Sequence, residues 1–152
     1  MSVYVSNWNL TVQSASVRGT TVAKITIFLV DDNTEMLADL RDELGEHFEI
    51  IGTAANGEDA VRGVLRSEPD VVVLDITMPC MNGIQVAEHL KEIKCRTKVL
   101  FLTIHEEPEF ISAAFSAGGV GYVSKLRLAS DLVNAIREVF GGREFISPTL
   151  KG

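Results

Sequence analysis

The stretch "VVVLDITMPCMNG", residues 71–83, decides how the rest of the chain is read. Val71, Val72, Val73 and Leu74 form an unbroken apolar run rich in β-branched residues, the pattern of a strand buried on both faces inside a parallel sheet. Asp75 follows directly and so sits at the carboxyl end of that strand, the end at which open α/β sheets bind ligands. Pro79 and Gly83 then mark a turn before the next helix. One strand-end acid is common, so the reading turns on whether other groups converge on it.

Working outward, strands and helices alternate. Toward the N-terminus, "ITIFLV" is an apolar strand ending at Asp31 and Asp32, and a helix with Leu37, Leu40 and Leu44 on one face follows it. A strand around "FEIIGTAA" and a helix after Gly57 bearing Val61, Val64 and Leu65 complete that half. Beyond the opening stretch come a helix from about Gly83 (Val86, Leu90, Ile93), the strand "KVLFLT" ending in Thr103, a helix after Pro108, and the short strand "GYVSK" ending in Lys125. A last helix aligns Leu132, Ala135, Ile136, Val139 and Phe140 in one apolar stripe and stops at Gly141 and Gly142. Alternation of this kind specifies a doubly wound parallel sheet with helices on both faces, a flavodoxin-like (βα)5 arrangement whose common strand order is 2-1-3-4-5. That order makes strand 1 the neighbour of strand 3, about 4.8 Å away, and stands Asp31 and Asp32 beside Asp75.

Two carboxylates about 4 Å apart repel by roughly 4 kcal/mol at an effective dielectric of 20. Crowded acids therefore call for shared protons or a cation, and hard oxygen ligands with room for water suit Mg²⁺. Asp32 or Asn33 could equally serve as a helix cap. On the other side of Asp75, Thr103 offers a hydroxyl and Lys125 a compact ammonium. Taken singly, Thr is a good strand former and a strand-end Lys is commonly solvated; together, four such strand ends describe a phosphoryl cradle. In it the carboxylate attacks phosphorus in line, and cationic charge and backbone N–H groups offset the equatorial oxygens.

Composition narrows the classes. The chain has 152 residues, 46% of them hydrophobic, enough for one domain with a single substantial core. A formal charge of −7 disfavours nucleic-acid binding by this chain itself and leaves no polybasic membrane footprint. No apolar run approaches a membrane span and no signal-peptide pattern opens the sequence, so the expectation is a cytoplasmic protein. Cys80 and Cys95 read as free thiols of a reducing compartment.

The sequence resembles the receiver domain of bacterial two-component response regulators from roughly Ile25 to Ser147. The resemblance is carried by the pair Asp31 and Asp32, the motif "LDITMPCMNG", Thr103 after "VLFL", and Tyr122 and Lys125 in "GYVSK". The stretches "AFSAGGVGYVSK", "LVNAIREVFGG" and "ISP" further resemble the NarL/FixJ/LuxR-type subfamily, whose receivers precede a helix-turn-helix. The resemblance implies phosphorylation of Asp75 by a sensor histidine kinase. It implies Mg²⁺ held directly by Asp32 and Asp75, with Asp31 acting mainly through water and Thr77 giving its backbone carbonyl. Thr103 and Lys125 would take the catalytic part, Thr103 and Tyr122 would form the switch acting on the face of helix 4, strand 5 and helix 5, and Thr77 and His105 would tune phosphoryl lifetime. A homodimer, and DNA contact through a C-terminal helix-turn-helix domain outside this chain, are further implications. Leu126 departs from the proline that many receivers carry after the lysine.

The expected organisation is an extension over residues 1–24, a receiver over 25–147, and the start of a linker over 148–152. In the extension Trp8, Leu10 and Val12 alternate with polar residues, which suits a marginal strand or a disordered tail. A stand-alone receiver and a phosphorylation-independent pseudo-receiver are the alternatives within the family. A haloacid-dehalogenase-type phosphatase needs a second acid two residues after the first, where this chain has Thr77. A flavodoxin-like electron carrier needs a phosphate loop where this chain reads "DDNTEML".

Overall fold

The computed structural model describes residues 23–150. The alternating Trp8, Leu10 and Val12, and the last two residues of the expected linker, lie outside the described residues. The elements are β1 (Thr26–Val30), α1 (Thr34–Leu44), β2 (Glu49–Ala54), α2 (Gly57–Ser67), β3 (Val71–Leu74), α3 (Gly83–Glu92), β4 (Lys98–Thr103), α4 (Pro108–Ser116), β5 (Gly119–Ser124), α5 (Leu128–Phe140) and β6 (Phe145–Ile146). One turn of 3₁₀ helix, Lys125–Arg127, joins β5 to α5, and another, Pro148–Leu150, follows β6. All strands run parallel in the order β2-β1-β3-β4-β5-β6. The expected five-strand order is present, and β6 extends it at the β5 edge. That last strand is only two residues long, too short to show a periodicity in sequence.

Alternation along the strands divides the core into two layers. Phe28, Val30, Val72, Leu74, Phe101 and Tyr122 face α2, α3 and α4. Ile27, Leu29, Val71, Val73, Leu100 and Val123 face α1 and α5. β3 supplies both layers with fully buried side chains, which is why its run is unbroken. Leu37, Leu40 and Leu44 on α1 and Leu132, Ile136 and Val139 on α5 close the second layer.

Three residues read as part of buried stripes are instead half exposed: Leu65 at 46%, Ile93 at 45% and Phe140 at 47%. Leu65 and Phe140 each follow a residue, Val64 and Val139, that already takes the sheet-facing position, and the next residue turns about 100° away from it. Ile93 lies past the end of α3, as its C-cap.

The loop after β3 is pinned tightly. The Gly83 N–H donates to the Ile76 carbonyl at 2.7 Å, and Asn82 caps α3 in a reciprocal capping box with Gln85. A Cβ on residue 83 would lie 2.0 Å from the Asp75 carbonyl oxygen and 2.9 Å from the Ile76 Cα. Both contacts are backbone and cannot swing aside. Gly83→Ala is therefore expected to destabilise the fold by about 1–3 kcal/mol, seen as a lower urea midpoint at unchanged slope.

Candidate functional site

The pairing of β1 with β3 sets the site. Val30 and Leu74 are register partners, and the Asp75 N–H donates to the Val30 carbonyl at 3.1 Å, so the residues that follow both strands emerge side by side. Oxygens of Asp31, Asp32 and Asp75 lie within 4.8 Å of one another. Asp31 and Asp75 are buried, whereas Asp32 is exposed. Asn33 takes the cap of α1, its side chain accepting from the Met36 N–H, while Asp31 Oδ1 accepts from the Asn33 N–H at 2.9 Å. With the cap filled by Asn33, the Asp32 carboxylate stays with the cluster. Three carboxylates, one of them open to water, are a fitting donor set for a hard divalent cation such as Mg²⁺, which prefers oxygen and retains several waters. Beside them a concavity of about 500 Å³ is lined in part by Asp32, Asn56, Pro79 and Cys80.

β4 and β5 deliver the other groups. Thr103 and Ser124 are register partners, which puts Lys125 just past the sheet edge. The sequence puts this lysine across Asp75 from the other acids; in the structure it lies between two of them. Its ammonium donates to Asp31 Oδ2 at 2.7 Å and to Asp75 Oδ2 at 3.2 Å. The four-carbon stem is long enough to cross above Asp75, and two buried carboxylates attract it.

Burial first, and then the charge of Asp31, raise the Asp75 pKa above its ordinary 3.8; the Lys125 charge and hydrogen bond and the Ile76 N–H pull the other way without cancelling the rise. Burial works against the Lys125 ammonium, but the Asp31 hydrogen bond and the two carboxylate charges outweigh it and hold its pKa above the usual value. The Ile76 N–H donates to Asp75 Oδ1 at 2.8 Å, a backbone donor of the kind the sequence suggests.

Thr103 is fully buried, and its hydroxyl accepts from the His105 N–H at 3.4 Å. Tyr122 is fully buried, and its hydroxyl donates to the His105 carbonyl at 2.9 Å. Burial, together with the charges of Glu107, Glu106 and Asp75, raises its pKa. His105 makes side-chain contacts to two other residues of the site's surroundings. Its ring stacks on Phe110 with centroids 4.1 Å apart, and its Nε2 hydrogen-bonds the Thr77 hydroxyl. Thr77 and His105, from the loops after β3 and β4, thus meet across the site.

Missed in the sequence are Glu106, Ser124 and Ser147, which join in a hydrogen-bond chain running from the exposed Glu106 to the two buried serines. The signals available are the serines inside "GYVSK" and "ISP", which carry the resemblance without showing a contact.

Comparison with known proteins places these observations in context. The model of the response regulator receiver domain matches residues 27–137. The chain is 38% identical over 128 residues to the transcriptional regulatory protein YvfU of Bacillus subtilis, covering 83% of this chain and 64% of that protein. It is 36% identical over 128 residues to the transcriptional regulatory protein DesR of the same organism, covering 83% of this chain and 63% of that one. It therefore spans somewhat under two thirds of these curated relatives. Among solved structures, a two-component response regulator of the LuxR family from Aurantimonas superposes with a TM-score of 0.81 at 31% identity, covering 84% of this chain and 93% of that one.

The electrostatics of Asp75 make a pH prediction. An acid whose pKa is higher in the folded chain favours folding most below its ordinary 3.8, and that contribution is lost as pH rises through the folded value. Asp75→Asn cannot ionise, so at neutral pH it is expected to melt at a higher temperature than wild type. The difference should shrink as pH falls toward 3.8, as thermal unfolding across that range would register.

Proposed function

We propose that this chain, which belongs to the family of response regulator receiver domains, accepts a phosphoryl group on Asp75 from the phosphohistidine of a sensor kinase and thereby changes a protein-binding surface. The observation that carries this reading is the Lys125 ammonium held against both Asp31 and Asp75 at the sheet edge, with the Thr103 hydroxyl on the neighbouring strand. In the proposed reaction an Asp75 carboxylate oxygen attacks phosphorus in line. The new O–P bond forms as the bond to the donor's imidazole nitrogen breaks, and the imidazole leaves with its electron pair.

Lys125 takes one phosphoryl oxygen as charge develops, trading its Asp75 contact for that oxygen while keeping Asp31 as its second partner. Thr103 turns its hydroxyl toward another oxygen and so alters its contact with His105. Asp32, Asp75 and the Thr77 carbonyl would hold Mg²⁺, with Asp31 acting through water; when bound, the ion supplies charge neutralisation at the transferring group. Thr77 and His105, hydrogen-bonded across the site, are suited to set how readily water reaches the phosphorylated carboxylate and so how long the modification lasts.

The switch would run from Thr103 through the following loop to Tyr122 and the face of α4, β5 and α5. The receiver unit would span residues 25–147, and the chain from 148 would begin the link to a LuxR-type DNA-binding domain, a reading supported by the likeness to a LuxR-family response regulator. Pairing of two receivers would bring two such output domains together. The LuxR-family likeness supports the output domain, and the acidic net charge of −7 argues for DNA contact through that domain rather than through the receiver.

Incubation with Mg²⁺ and acetyl phosphate is expected to add one phosphoryl mass to the wild-type chain and none to Asp75→Asn. Lys125→Met should lower the phosphorylation rate by about a hundredfold, the usual cost of losing one positioned donor to developing anionic charge. Asp32→Asn should weaken Mg²⁺ uptake by about tenfold or more in calorimetry. A wild-type chain that gains no mass from any phosphodonor would instead mark a phosphorylation-independent interaction module.

A further inference from the structure

After α5 the chain returns to the sheet, and residues 145–150 lie along the strand that leads to Lys125. β6 pairs with β5 through Gly121 with Phe145 and Tyr122 with Ile146. The Ser147 N–H donates to the Tyr122 carbonyl at 3.0 Å, and the Ser124 N–H donates to Ser147 Oγ at 3.3 Å; both serines are fully buried. The Leu150 N–H donates to the Ser147 carbonyl at 2.9 Å, and its side chain packs against the layer that contains Tyr122. A two-residue strand has little ladder of its own, at about 1 kcal/mol net per hydrogen bond, so its hold depends on how Ser147 is seated.

That seat connects to the loop after β4 by two routes. Ser124 Oγ donates to Glu106 Oε2 at 2.6 Å and accepts from the Leu126 N–H at 3.2 Å. The hydroxyl of Ser124 thus ties an exposed carboxylate of the β4–α4 loop to the buried strand that seats Ser147. One residue earlier, His105 reaches Thr103 through its N–H and Tyr122 through its carbonyl, and Tyr122 in turn accepts the Ser147 N–H. Both routes begin beside Thr103 and end on the same short strand.

We propose that residues 145–150 form a strap whose grip on β5 is set by the β4–α4 loop, with Ser124 relaying the position of Glu106 to Ser147, so that phosphorylation of Asp75 loosens the strap. This rests on the reading of Asp75 as phosphoacceptor. Movement of Thr103 toward a phosphoryl oxygen withdraws the acceptor of the His105 N–H. Negative charge added at Asp75 also bears on the Tyr122 surroundings that Glu106 already shares. Each change opposes the Glu106–Ser124 bond, a charge-assisted contact of the stronger kind.

Hydrogen exchange on the whole chain, with intact mass recorded on the same samples, tests the strap. With acetyl phosphate and Mg²⁺, amides of residues 145–150 should exchange about tenfold faster, the change expected from loss of one charge-assisted hydrogen bond, while β3 stays protected. Glu106→Ala should reproduce that acceleration without any phosphodonor, and Glu106→Gln, which still offers an acceptor oxygen, should restore slow exchange. A phosphoryl adduct without faster exchange in residues 145–150 overturns the strap and leaves the phosphoacceptor reading intact. Absence of an adduct overturns the phosphoacceptor reading and with it the phosphorylation trigger. Unchanged exchange in Glu106→Ala overturns the relay in either case.

Discussion

The register between β1 and β3 is the constraint on which the rest depends. With Val30 opposite Leu74, the chain has no choice but to present Asp31 and Asp75 together at one edge of the sheet. A slip of one residue would turn Asp75 away from Asp31 and exchange the faces of four buried side chains between the two core layers. The hydrophobic patterning that makes the sheet foldable is thus the same patterning that makes the carboxylates converge. Lys125, reaching over from the far side of β4, closes this arrangement with a charge that the two acids would otherwise have to find elsewhere.

The site carries a thermodynamic cost that packing elsewhere offsets. Asp75 sits where burial and a neighbouring acid disfavour its ionised form, yet the proposed attack on phosphorus requires that form. Lys125 reduces the penalty without abolishing it, which keeps the carboxylate available rather than locked in a fully satisfied ion pair. Tight backbone packing around the following loop, with Gly83 against the Asp75 carbonyl, keeps the acid from relaxing out toward water.

Much of this was legible in the amino-acid order. The strand runs at residues 71–74 and 98–103 and the glycine stop after the last helix are local signals, and they place the acids, Thr103 and Lys125 at strand ends before any contact is known. Side-chain reach was not legible: nothing in "GYVSK" tells that the lysine crosses to Asp31, and nothing in "IHEEPEF" tells that His105 stacks on Phe110 and bonds Thr77. The fate of Leu65, Ile93 and Phe140 shows the limit of periodicity at helix ends, where one residue of phase decides burial. β6 escaped because two residues give no pattern, and its attachment is made by a buried serine that reads as a loop residue.

The division of the core into two layers gives β5 two independent allegiances. Tyr122 belongs to the three-helix side and Val123 to the two-helix side, although they are adjacent in the chain. The sheet therefore acts as a bulkhead: a substitution on the tyrosine's face meets α2, α3 and α4 first, and one on the Val123 face meets α1 and α5 first. β5 sits under both sets of helices, so it is a strand through which a change in one layer can be felt in the other.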